Sequence, residues 1–160
     1  MHAIERRTLD EAFADGFAAA WIDSWNAHEL DRILSHYADD LEMYSPFILQ
    51  IAGEPSGTLR GKAAVRAYWQ RALERLPHLR FELLSVLRGV DSIAIVYVGA
   101  HGRLAAEVLH FDADGKIARA FAHYAGSPAP LWERPVNEIM RYGLQSSMAS
   151  NAPPARRGKR

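Results

Sequence analysis

Leu9, Phe13, Phe17, Trp21 and Trp25 recur at every fourth position, with Ala20 alongside, which predicts a helix with one strongly aromatic stripe. Thr8 with Glu11 three residues on has the form of a capping box and places its start. Asn26-Ala27-His28 breaks the pattern, and Leu30, Ile33, Leu34 and Tyr37 predict a second short helix ending before Asp39-Asp40. Leu41 to Pro46 reads as a strand, and Phe47 to Gly57, punctuated by Gly53, Pro55 and Gly57, as an apolar loop fit to cover a cavity. Val65, Tyr68, Trp69, Ala72, Leu73 and Leu76 predict a helix over Gly61 to Leu76, which Pro77 stops. The periodicity then changes to two. Leu79 to Leu87, Ser92 to Gly99, Arg103 to Phe111 and Ile117 to Tyr124 predict successive strands of an antiparallel meander. Helices first and strands afterwards make an α+β domain, its helices packed on one face of a curved, mainly antiparallel sheet.

The character of the chain changes at Ser127-Pro128-Ala129-Pro130. The expected division is a domain over 1–126 and a C-terminal extension over 127–160, docked to about Leu144 and mobile in its Pro- and Arg-rich end. With 160 residues, 49% apolar and 10% aromatic, the chain can bury one core. Nineteen basic and nineteen acidic residues cancel, so no overall field favours nucleic acid or a membrane surface. The absence of cysteine excludes disulfides and thiolate chemistry, and no histidine–acid spacing fits a zinc site. No apolar run reaches the length of a membrane span and the start has no signal-peptide pattern, so a cytoplasmic protein is expected.

Glu107 carries the candidate chemistry. It interrupts the apolar row Ala105, Leu109 and Phe111 on one face of its strand, where an ionised carboxylate is costly unless it finds partners, stays protonated or faces a cavity. A hairpin over Asp112 to Gly115, pairing Phe111 with Lys116, would set Glu107 opposite Ala120, with Ala122 and Tyr124 on the same face. Those small residues leave unfilled volume beside the acid. Tyr97, if it points inward, would reach Glu107 with its hydroxyl. His110 and His123 take the opposite parity, with Arg80, Glu82, Arg88, Arg119 and Phe121 on an outer face suited to an interface. No phosphate loop and no Gly-x-Ser-x-Gly elbow occurs.

The segment Trp21-Ile-Asp-Ser-Trp25-Asn-Ala-His-Glu-Leu-Asp-Arg-Ile-Leu-Ser-His-Tyr37-Ala-Asp39-Asp40, the Gly61-Lys62 helix opening with Tyr68-Trp69, and His110-Phe111-Asp112-Ala-Asp-Gly115-Lys-Ile117 together resemble the nuclear transport factor 2-like superfamily, in its SnoaL-like branch. The resemblance runs from about Phe13 to Gly126 and implies a cone-shaped fold around an apolar pocket, commonly in homodimers. It is far less specific for activity, since the superfamily holds isomerases, cyclases, hydrolases and binding modules. In the ketosteroid isomerase branch an acidic base works with a tyrosine and a protonated acid that hold an oxyanion. Glu107 matches the protonated acid, Trp21 stands at the tyrosine and Ser45 at the base, so two of the three parts are replaced. The epoxide-hydrolase pattern has Ala105 where its arginine should stand, and Ala120 offers no second acid. The polyketide-cyclase branch pairs an acid with a histidine, and His123 faces the other way.

These observations imply a cofactor-independent enzyme of isomerase or cyclase type, acting on a small apolar oxygenated molecule with Glu107 as general acid or base. Trp21, Trp25, Phe47, Tyr97 and Tyr124 are expected in the pocket wall, with Ser45 bonding a substrate oxygen. The alternative is a non-catalytic binding or dimerisation module of the same fold.

Overall fold

The computed structural model describes residues 9–126. Helix α1 (Glu11–Asn26) begins at Asp10, whose carboxylate accepts from the Phe13 amide at 2.7 Å; Thr8, half of the expected capping box, lies outside the described residues, as does the extension over 127–160. A four-residue spacing drifts about 40° around a helix at each step, so the aromatic row does not stay on one face. Trp21 and Trp25 are buried with Ala14, Ala18 and Ile22, while Phe13 and Phe17 are half-buried against the edge of Phe111. The helix stops at Asn26, whose amide bonds both the backbone N–H and C=O of Phe81, at 2.7 and 3.0 Å. The turn that follows is tied down too, because His28, at a φ of 56°, bonds the Leu79 carbonyl at 2.7 Å.

Helix α2 (Leu30–Leu34) is shorter than expected: Tyr37 opens strand β1 (Tyr37–Tyr44) instead of closing the helix. The apolar loop contains two small elements that its turn residues hid, helix α3 (Ile48–Ala52) and strand β2 (Thr58–Arg60). Gly53 caps α3 at a φ of 75°, a conformation that a side chain would strain. Helix α4 (Lys62–Arg75) buries Val65, Tyr68 and Trp69, as its periodicity requires. Strands β3 (Glu82–Arg88), β4 (Ser92–Val98), β5 (Leu104–Phe111) and β6 (Ile117–Tyr124) follow, with a 3₁₀ turn over Ala100–Gly102 between β4 and β5. The six strands form one sheet in the order β2-β1-β6-β5-β4-β3, antiparallel except where β1 runs parallel to β6.

The β5–β6 register differs from the sequence reading by two residues. Asp112 spreads the turn by accepting from the amides of Asp114 and Lys116, each at 2.9 Å, so Phe111 pairs with Ile117; a bulge at Ala118 then sets His110 opposite Arg119 and Glu107 opposite Ala122 rather than Ala120. Two one-residue shifts preserve parity. Ala120, Ala122 and Tyr124 therefore still share the face of Glu107, and His110, Arg119 and His123 take the other. A second bulge at Leu84 reverses the facing of the rest of β3, which removes Arg88 from the outer face expected for it.

Candidate functional site

The inner face of the sheet, α1, α3 and α4 enclose a cavity of about 630 Å³. Its walls are aromatic and aliphatic, with Trp25, Phe47, Tyr68, Trp69, Phe81, Tyr97 and Tyr124 among the residues that line it. Such a volume suits a drug-sized organic molecule. Glu107 sits on β5, a strand hydrogen-bonded on both sides, opposite Ile95 of β4 and Ala122 of β6. It lines the cavity yet is only 4% exposed, and its Oε2 has no hydrogen-bond partner among the described residues. Burial alone pushes its pKa up from 4.5 to about 8, so at neutral pH the group is mostly a carboxylic acid, able to donate one hydrogen bond and accept another.

The tyrosines around it are equally far from water. Burial raises the hydroxyls of Tyr37, Tyr97 and Tyr124, and the nearby Glu107 raises them further, so none ionises in the ordinary range. Tyr97 points inward, as alternation along β4 allowed, with its ring 4.5 Å from Phe81. The hydrogen bond foreseen between Tyr97 and Glu107 does not form among the described residues: the Glu107 acidity answers to burial and to no hydroxyl.

Four of the six expected binding residues, Trp25, Phe47, Tyr97 and Tyr124, line the cavity with Glu107. Trp21 and Ser45 do not. Trp21 is fully buried behind the wall, its indole N–H donating to the Tyr37 hydroxyl at 2.9 Å and its ring stacked 5.7 Å from Phe81. Ser45 accepts from the Tyr68 hydroxyl at 3.2 Å and from the Phe47 amide at 3.2 Å, and makes a side-chain hydrogen bond with Tyr124. It fixes the wall and stays out of the cavity. The segment over 47–57 does cover the cavity, through Phe47, Gln50 and Ile51. Sequence reasoning missed Tyr68 and Trp69 as lining because their helical spacing reads as core; an adjacent aromatic pair on a helix that faces a curved sheet was the available signal. It also missed Arg103, which lines the cavity with its guanidinium 5.6 Å from the centre of the Phe47 ring.

The stretch that builds this curved sheet and cavity, residues 18–120, matches the family model of the SnoaL-like domain. The chain belongs to the SnoaL-like family. A SnoaL-like protein of unknown function from Burkholderia thailandensis is 60% identical, with a TM-score of 0.72 over 75% of this chain and 100% of that one. A protein of unknown function with a cystatin-like fold from Methylobium petroleophilum is 23% identical, with a TM-score of 0.60 over 76% of this chain and 82% of that one. An NTF2-like protein of unknown function from Cytophaga hutchinsonii is 10% identical, with a TM-score of 0.53 over 70% and 89%. At those identities the last two show the fold alone. No curated protein matches the chain. Among the described residues of this SnoaL-like domain, no helix is long and apolar enough to cross a membrane and no group of three or more His, Cys, Asp or Glu could hold a metal ion.

Proposed function

We propose that this SnoaL-like protein is a cytoplasmic, cofactor-independent enzyme of isomerase or cyclase type, which moves a proton at a carbon activated by a neighbouring carbonyl. The observation that carries the reading is the Glu107 carboxyl, buried under a large aromatic cavity with Oε2 unmatched by any donor among the described residues. A pKa of about 8 gives it both protonation states near neutrality, as a general acid–base requires. As the acid it would donate to the carbonyl oxygen; as the carboxylate it would take the proton from the adjacent carbon. Burial of the carboxyl itself keeps its acidity away from the value it would have in water. Deuterium exchange into aryl ketones in D₂O, followed by proton NMR, tests this without knowledge of the natural substrate. Exchange accelerated by the wild type and abolished in Glu107→Gln is the expected result; equal exchange by the two proteins would sink the assignment.

A second reading, a non-catalytic binding module that acts as a homodimer, is supported by a different observation. The outward positions of the central strands, Ala94, Val96 and Val98 of β4 and Leu104, Ala106 and Val108 of β5, form an unbroken apolar surface, with Leu104 46% exposed. Glu82 and Arg119 border it with opposite charge, so the face can meet a second copy of itself. Light scattering on the wild type and on Val96→Lys should give dimer and monomer respectively. A wild type that stays monomeric at high concentration removes this reading.

A further inference from the structure

Among the described residues three buried side-chain polar atoms lack a hydrogen-bond partner, namely Trp25 Nε1, Glu107 Oε2 and His110 Nδ1. His110 faces away from the cavity and has the Asp91 carboxylate 3.6 Å from that nitrogen. The other two belong to residues that line the same cavity, Trp25 on the helical side and Glu107 on the sheet. Buried donors and acceptors almost always find partners, so two left open on the walls of one cavity call for an occupant. Trp21, one turn earlier in α1, shows the ordinary outcome: its indole N–H donates to the Tyr37 hydroxyl at 2.9 Å, behind the wall. Trp25 is only 6% exposed, and its ring is held among Trp21, Trp69 and Phe81, with ring centres 5.9, 5.1 and 5.4 Å away. The adjacent Asn26 fixes the helix end by bonding both backbone groups of Phe81, so the indole is set in place before any ligand arrives.

We infer that the cavity takes an apolar molecule with two separate acceptor oxygens, one bound by the Glu107 carboxyl and the other by the Trp25 indole N–H, so that Trp25 selects the substrate by its second oxygen. This rests on the proposed function only in letting the Glu107 carboxyl meet the ligand. An indole N–H donates and cannot accept, so its partner must be an acceptor. Tyr68 and Tyr124 do not compete for that oxygen, because Ser45 already engages the hydroxyls of both. The acceptor is uncharged: a carboxylate beside Trp25 would lose its hydration against a neutral donor on an aromatic wall, which a ketone, ester or ether oxygen avoids. Anchors on α1 and on β5 hold the molecule at two points, and two points limit which carbon lies beside Glu107. A molecule with a single carbonyl would leave the indole unpartnered, and by that omission the site discriminates against it.

The test uses 4-acetylbiphenyls that carry, at the 3′ or 4′ position, either a second acetyl group or an isopropenyl group, which has the same planar shape but no acceptor. Calorimetry measures affinity. At one of the two positions the wild type should bind the acetyl compound about tenfold tighter than its isopropenyl twin, and Trp25→Phe should erase that preference with little change toward the isopropenyl compound. Glu107→Gln should keep the preference even where it abolishes exchange, so the second oxygen and the proposed reaction fail independently. Should Trp25→Phe fail to fold, the Trp25 indole N–H resonance of the wild type, assigned by NMR, serves instead: the acetyl compound should move it downfield and the isopropenyl compound should not. A preference that survives Trp25→Phe would give the second oxygen to another lining group such as Tyr97 and overturn the inference. An indole proton shielded by the Trp69 ring, 5.1 Å away and set at 74°, and unmoved by every probe would overturn it too, as would equal affinities at both positions. Binding of no probe would overturn the inference and leave the exchange assay to judge the proposed function separately.

Discussion

Replacing Glu107 with Gln isolates the cost of a buried acid, because the amide keeps the shape but cannot ionise. Glu107 holds its proton to about pH 8 in the folded chain and only to the ordinary value of 4.5 when unfolded. Between those values the folded state binds more protons than the unfolded one, so stability falls as pH rises. The loss is small near pH 5, about 1 kcal/mol, and grows to about 4 kcal/mol at pH 8, using about 1.4 kcal/mol per pH unit. Below the unfolded value both proteins bury an uncharged polar group, and their stabilities should converge. Glu107→Gln should therefore be the more stable protein at pH 8, with a Tm higher by roughly 12–16 °C on the basis of about 3–4 °C per kcal/mol in a domain of this size. Calorimetric unfolding of both proteins from pH 5 to 8 measures the divergence directly. A Tm difference that does not change with pH, or a variant less stable at pH 8, would refute the reasoning and mean that partners hold the carboxylate.

Ser45→Ala removes the acceptor for the Tyr68 hydroxyl and the Phe47 amide, and should cost about 2 kcal/mol in urea unfolding; a loss under about 0.5 kcal/mol would show that the tyrosines do not depend on it. Trp21→Phe leaves the buried Tyr37 hydroxyl without its indole donor and should cost a similar amount, about 2 kcal/mol, with no direct effect at the cavity surface. Undiminished urea stability in that variant would contradict the role given to the bond. Ala105→Leu extends into the cavity beside Glu107, so the enzyme-accelerated deuterium exchange into aryl ketones should fall at least tenfold while stability moves by no more than about 1 kcal/mol. Unchanged exchange would place the substrate elsewhere.

The facing of Glu107 was legible because a period-two row tolerates only even errors, and the hairpin supplied two shifts of one residue each. The register itself was not legible, since the bulge at Ala118 leaves no mark in composition and the turn is widened by the Asp112 side chain. Helices α1 and α4 were visible from their apolar spacing. By contrast α3 and β2, five and three residues long, are too short to set up a period. Tyr37 continued a helical stripe in sequence, so its place on β1 was hidden and with it the partner of Trp21. Trp21 and Ser45 entered the expected site through resemblance to a catalytic arrangement. In this chain the hydrogen-bonding groups of both are already engaged, with Tyr37 in one case and with Tyr68 and Phe47 in the other. Arg103 opened the expected strand, but its place in the cavity wall follows from the 3₁₀ turn over Ala100–Gly102, which is too short to announce itself in the sequence.

Glu107 stands in the middle of β5, clasped by β4 and β6, whereas the opening is framed by the short helix α3 and the 3₁₀ turn over Ala100–Gly102. The acid and the gateway thus belong to parts with different tolerance for change. A strand paired on both sides resists any insertion, while a five-residue helix and a three-residue turn can be lengthened, shortened or rewritten at little expense to the sheet. Descendants of such a chain could exchange one guest for another by editing the doorway and leave the proton-carrying group where it was.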